Sequence, residues 1–337
     1  MKIYYFLIIL VTQQYTLLGQ TTWYVSNRND GVVVDYTDLT TAYNAASPGD
    51  TIIIYPSPYT YSGQTVTKEI HFIGLGYHAD PISQPSLGIK TFLYSAVIGH
   101  INFNSGSDNS TAESLLLGSM NMNNVSGCVV FRCETTSMIN LEVSSNNYFR
   151  SCFLGGSGPP HSTHIRLDGS SNNVIENCIF SHLNLPNNIT TSGYSTINTV
   201  AANNIFSGNT TLLNSFLYNN IYTSGNSLGE MNLVSNNVFF TGTPGTDENG
   251  NIYGATNVFV GYPTQGSYSF DSRWQLAQNS PALGAGVDGV DCGIFDGQYP
   301  YKLSGILSRP LIYELTVPPY VPDGSDLNIT VKVRAEN

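Results

Sequence analysis

N-N-I-F at 203–206, N-N-I-Y at 219–222 and N-N-V-F at 236–239 repeat one phrase at intervals of 16 and 17 residues. Outward from them, F-R-C-E-T (131–135), R-S-C-F-L (150–154), E-N-C-I-F (176–180) and T-N-V-F (256–259) fit the same frame, with periods of about 16 to 26 residues. Cys133, Cys152, Cys178, Asn204, Asn220, Asn237 and Asn257 then fall into one column, usually followed by an apolar residue. A short strand bounded by Asn and Gly turns cannot bury its apolar face alone, but successive copies coiled on one another make a continuous core. Like side chains then stack about 4.8 Å apart. An amide suits that stack because it donates to the next amide's carbonyl, and Cys is a small apolar substitute. A second signal, Asn-Asn at 146–147 and 172–173, precedes two of the rungs. A β-sandwich, the rival reading, calls for alternating strands in hairpins rather than this recurring doublet.

The ends of the chain complete a solenoid. Residues 37–46 place Leu39, Ala42, Tyr43 and Ala46 on one helical face just before a buried-strand run at 51–54. An amphipathic helix there covers the open end of a coil, which otherwise invites association. At the other end, 311–318 and 327–334 alternate like ordinary strands and read as a pair packed on the C-terminal end of the solenoid. Lys2 followed by the apolar run Ile3–Val11 and a small residue at Gly19 reads as an export signal, too short to span a bilayer. The expected organisation is a signal peptide at 1–19, a β-helix domain at 20–305 and a strand cap or tail at 306–337.

Composition narrows the function classes. Charged residues make up 10% of the 337, and the formal net charge is −11. Nucleic acid and anionic membranes attract Lys/Arg clusters, and no basic run is present. The expected product is a secreted or cell-surface monomer, without a membrane span and without nucleic acid as a partner. Five cysteines in an exported chain leave at least one free thiol or an intermolecular bond; the column position of Cys133, Cys152 and Cys178 favours free buried thiols.

The order W-Y-V-S (23–26), helix, S-P-G-D-T-I-I-I-Y-P (47–56), Y-T (59–60) and K-E-I-H-F-I-G (68–74) resembles the N-terminal cap and first rungs of the pectate-lyase-like right-handed parallel β-helix superfamily. The run at 279–295, N-S-P-A-L-G-A-G-V-D-G-V-D-C-G-I-F, resembles the last rung of secreted β-helix proteins from Bacteroidetes-type bacteria. The resemblance spans residues from about 22 to 300 and implies an all-β fold: a right-handed parallel β-helix solenoid with a short N-terminal capping helix and a C-terminal antiparallel strand pair. It implies no single chemistry, because one fold hosts many functions.

A polysaccharide lyase must neutralise a uronate carboxylate, commonly with Ca²⁺ or basic side chains, and remove a proton with a positioned base. The densest ionisable region, 132–182, offers one such set: Arg150 as base or clamp, with Glu176 and Asp168 as possible cation ligands. Arg150 and Glu176 each stand two places before a column Cys, which makes them neighbours on the outer face; the bland alternative is an exposed ion pair. The acid-rich motifs that the resemblance would supply for a polygalacturonase are absent, and Asp288 and Asp291 read as turn stabilisers. His161 and His164 lie in a Gly-Pro-Pro-flanked loop, so no metal site is expected; Ca²⁺ belongs to the lyase alternative alone. Tyrosines in or near turns, Tyr194 and Tyr218 among them, offer stacking faces for sugar rings, and Arg166, His164 and Tyr194 are the candidate binding contacts. The primary expectation is a non-catalytic protein that binds a polysaccharide or cell-surface glycan, or a surface scaffold, without a cofactor. The alternative is a lyase or other carbohydrate-active enzyme acting on an acidic polysaccharide.

Overall fold

The computed structural model describes residues 19–29, 31–78, 94–155, 163–180, 187–192, 198–224, 227–306, 310–318 and 326–334. The expected signal segment lies outside them apart from Gly19. The chain coils as a parallel β-helix with three faces. A first sheet holds ten parallel strands, from Thr22–Val25 and Thr51–Ile54, through Tyr148–Arg150 and Val174–Glu176, to Leu233–Ser235. A sheet of fifteen strands wraps the other two faces, because Val97–Asn104 and Leu116–Asn123 run through both. Elsewhere each coil places a two-residue strand on the second face, such as Phe153–Leu154 or Ile205–Phe206. A longer strand, such as Ile139–Glu142 or Thr163–Asp168, lies on the third. The last coil is closed by Gly245–Thr246, which pairs antiparallel with Ile252–Tyr253 and covers the final strand edge.

The Asn doublets fold the corner between the first and second faces. Their first residue takes the left-handed conformation: φ is 54° at Asn177, 55° at Asn203, 57° at Asn219 and 53° at Asn236. Asn tolerates this region better than most residues. The second residue then points into the core. Asn204 Nδ2 donates to Asn220 Oδ1, Asn220 to Asn237 and Asn237 to Asn251, each at 3.0 Å. Each amide also donates to a first-sheet carbonyl: Asn204 to Ile175, Asn220 to Ala201 and Asn237 to Leu217. The cysteines occupy the same column, and their thiols donate to the equivalent carbonyls one coil back, of Ala112, Val130 and Phe149. They fill the amide's bonding role as well as its space.

The column ends on Asn251 and not on Asn257. Gly250 takes the left-handed corner at φ 75°, and Ile252 pairs with Val238. Asn257 is exposed in a later turn, and Val258 and Phe259 pack on the outside of the coil. A second buried file runs at the next corner, where Asn147 Nδ2 reaches Asn173 Oδ1 at 3.3 Å. On the second face the inward residues form an aromatic stack from Phe180 through Phe206, Tyr222 and Phe239 to Tyr253, with ring centroids 4.8 to 5.1 Å apart.

The helix spans Leu39–Ala45 inside the expected range, capped by Asp38, which accepts from Thr41 N at 2.8 Å, and buries Leu39, Ala42 and Tyr43. Asp50 ties this cap to the first strand. Burial alone pushes its carboxyl up, but donation from Thr21 N, Ser47 N and Trp23 Nε1 outweighs it and holds the carboxyl below its ordinary value. A depressed carboxylate stabilises the fold above its unfolded pKa of about 3.9 and loses that contribution as pH falls through the folded value. Thermal melts between about pH 5 and pH 3 should therefore drop more steeply for the parent chain than for Asp50→Asn; equal slopes would remove Asp50 from the acid response.

Residues 279–295 do not form a rung. They belong to a C-terminal arm that leaves the last coil and runs back along the corner toward the first ones. The left-handed residues hold it: Asn236 bonds Ala285 O, Asn219 Oδ1 accepts Val287 N, Asn203 reaches Gly293 O, and Asn177 reaches Ile294 O and Asp296 O. Further back, Ser151 bonds Tyr299 O, Arg132 bonds Ile306 O, and Tyr77 N bonds Ser304 O. The arm covers the outward residues of the short strands, Phe153, Ile179, Ile205, Ile221 and Val238, with Phe259, Trp274, Cys292, Ile294 and Tyr301. That second core explains why both residues are apolar in the short strands from Phe153–Leu154 through Ile179–Phe180, Ile205–Phe206 and Ile221–Tyr222 to Val238–Phe239.

All five cysteines are free and buried. Burial pushes Cys128 and Cys292 up to about 12 and raises Cys133 and Cys178 as well. Because the thiolate is the reactive form, the native protein should give no fast reaction with a thiol reagent at about pH 8 and expose all five groups in denaturant. Native labelling at any column Cys would contradict this packing.

The antiparallel pair Leu311–Thr316 and Thr330–Arg334 is present. It follows the part of the arm held at Arg132, and Ile312, Leu315, Val331 and Val333 stay about half exposed. The expected packing of those residues on the far end of the solenoid is not what the structure shows.

Candidate functional site

The outward column of the first sheet runs Glu113, Phe131, Arg150, Glu176, Ala202, Tyr218 and Ser235, fixed by parallel register. Arg150 and Glu176 are neighbours as their spacing predicts, with Nε 2.5 Å from Oε1. The Arg150 carbon centre also lies 4.4 Å from the ring of Tyr148 and 3.9 Å from that of Tyr299 on the arm. Cation–π contact of this kind is worth roughly 0.5–2 kcal/mol. The guanidinium is thus held by a carboxylate and by two rings.

Beyond Glu176 the column drops to the small Ala202, and a cleft of about 470 Å³ opens between the sheet and the arm. Tyr218 and Ser235 of the sheet line it, with Asn203 and Asn219 of the corner and Val287, Asp288, Val290 and Gly297 of the arm. Burial pushes the Tyr218 phenol up, and the Glu176 charge pushes it further. Tyr218 therefore stays a neutral hydroxyl at ordinary pH, suited to hydrogen bonding and stacking. Asn203 and Asn219 spend their amides on the arm. Asp288, at φ 59°, stands exposed at the rim.

The remaining expected residues lie elsewhere. Asp168 is on the third face, paired with Arg166 at 2.8 Å and in register with Glu142. A turn and a strand separate it from Glu176, so the proposed catalytic trio does not converge, and Glu176 and Asp168 do not share a cation. Sequence proximity suggested a grouping that the coil splits between two faces. Arg166 joins an outward polar array in which Asn121 bonds Asn102 at 2.8 Å and Asn123 bonds Asn104 at 2.9 Å. His164 lies in the strand Thr163–Asp168; Tyr194 and His161 lie outside the described residues. Among the described residues no group of three or more His, Cys, Asp or Glu is placed to hold a metal ion, and no helix is long and apolar enough to cross a membrane. Sequence reasoning missed the pairing of Tyr299 with Arg150. The first Asn of each doublet was the available signal, because a left-handed corner with a free amide is ready to bind a covering segment.

No protein-family model matches the chain, and no curated protein matches it. Among solved structures it is similar to the pectate lyase Pel9A, at 15% identity and a TM-score of 0.49, over 81% of this chain and 96% of that one. That likeness carries no residue role across. On its own strand register, the chain is a parallel β-helix.

Proposed function

We propose that this is an exported, non-catalytic β-helix protein that binds a glycan in the cleft between its first sheet and its C-terminal arm. The observation behind this reading is that Arg150, the basic group nearest the cleft in the outward column among the described residues, is already engaged by Glu176, Tyr148 and Tyr299. A lyase needs that group for the substrate carboxylate or for proton removal. What remains in the cleft is an aromatic face, two hydroxyls and a carboxylate, which are groups that orient a sugar ring and bond its hydroxyls. The volume lies within the range of small-ligand pockets. The apolar run behind Lys2 supports export. A glycan panel read by equilibrium binding, alongside absorbance of unsaturated product with and without Ca²⁺, tests the reading. The expected result is binding without turnover, weakened at least about tenfold in Tyr218→Ala, as loss of one stacked ring and its hydrogen bond implies. Turnover that disappears in Arg150→Ala would replace this reading with the lyase.

A further inference from the structure

We infer that the cleft selects uncharged sugars and rejects uronates, an inference that rests on the glycan-binding reading above. The arm that forms one wall places Asp288 on the cleft itself and carries Asp291 and Asp296 further along the same stretch, while Glu176 stands one strand away on the sheet, beside Ala202. Asp291 and Asp296 keep their carboxylates on backbone amides: Asp291 accepts from Gly284 N at 2.8 Å, and Asp296 accepts from Asp291 N and Gly297 N. Those bonds fix the charges in place without neutralising them. The single cation in this set, Arg150, is paired with Glu176. A sugar ring over Tyr218 therefore meets a negative rim at Asp288 and no free positive group among these residues. A hydroxyl can donate to Asp288 or share a hydrogen with Ser235; a uronate carboxylate at the same place finds like charge and no clamp. Repulsion between charges at such range is felt at low salt and screened at high salt. The chain's net charge of −11 adds to it at longer range.

The test uses pairs of polymers that share a backbone and differ in carboxylate charge. Fully methyl-esterified homogalacturonan is compared with the same polymer after de-esterification, and unsubstituted xylan with glucuronoxylan, by equilibrium binding to the full chain. The uncharged member of each pair that binds should bind at least about tenfold tighter at about 10 mM salt, and the gap should shrink at about 0.5 M. Asp288→Asn should narrow the low-salt gap, chiefly by tightening binding of the acidic member. Equal or tighter binding of the acidic member, or a gap insensitive to salt, would overturn the inference and leave the glycan reading standing. Absence of binding to these polymers and to every other glycan of a panel would remove both.

Discussion

Asn220→Ala should cost about 2–6 kcal/mol of folding stability, while Asn257→Ala should cost only about 1 kcal/mol, the penalty of placing Ala in the left-handed backbone at φ 55°. The two residues look alike in the repeat and differ completely in their surroundings. Asn220 is fully buried. Its Oδ1 accepts both Asn204 N and Asn204 Nδ2, and its Nδ2 donates to Ala201 O and Asn237 Oδ1. Truncation leaves the Asn204 amide N–H and the Ala201 carbonyl without those partners in a site water does not reach, and each such group costs about 1–3 kcal/mol. Asn257 is exposed. Urea melts of the two variants read the difference; comparable losses would mean that the file of amides does not run as described.

Removal of the arm should be more severe. A chain ending at Gly254 exposes Phe153, Ile179, Ile205, Ile221 and Val238, each now covered by arm residues. At about 1.5–3 kcal/mol per side chain, the loss is roughly 7–15 kcal/mol, as large as the whole stability of an ordinary domain. It also leaves a continuous apolar face, the kind of surface that drives association. The truncated chain should be insoluble or bind a hydrophobic dye strongly, and refolding should not yield a monomer. A soluble, cooperatively melting truncation would show that the arm is dispensable.

The coil was legible because the doublet performs two separable tasks. One residue must accept a left-handed backbone and the next must bond up and down a buried file, so few residue types serve and the phrase recurs. The same logic misplaced the final rung. At Gly250–Asn251 a glycine takes the left-handed corner in place of the first Asn, which hides the doublet, and the better-looking T-N-V-F at 256–259 took its place in the alignment. The Arg150–Glu176 pair was legible for the same reason as the column: parallel register carries equal offsets to equal heights. Asp168 was grouped with them by closeness along the chain, although the corner after it turns the next strand onto another face. The arm left almost no trace, because its partners lie far away in sequence: Asn177 with Ile294 is 117 residues apart, and Arg132 with Ile306 is 174. Nothing periodic marks such contacts. The cleft depends on that arm, so Tyr218 could be named as a surface ring while the wall opposite it could not.

A crystal structure with the tightest-binding uncharged oligosaccharide would settle where the glycan sits. A sugar ring stacked on Tyr218, with hydroxyls bonded to Asp288 and Ser235 and the Arg150–Glu176 pair undisturbed, is the expected result. A ligand seated instead on the Asn102–Asn121 array, or one cleaved beside a displaced Arg150, would contradict it.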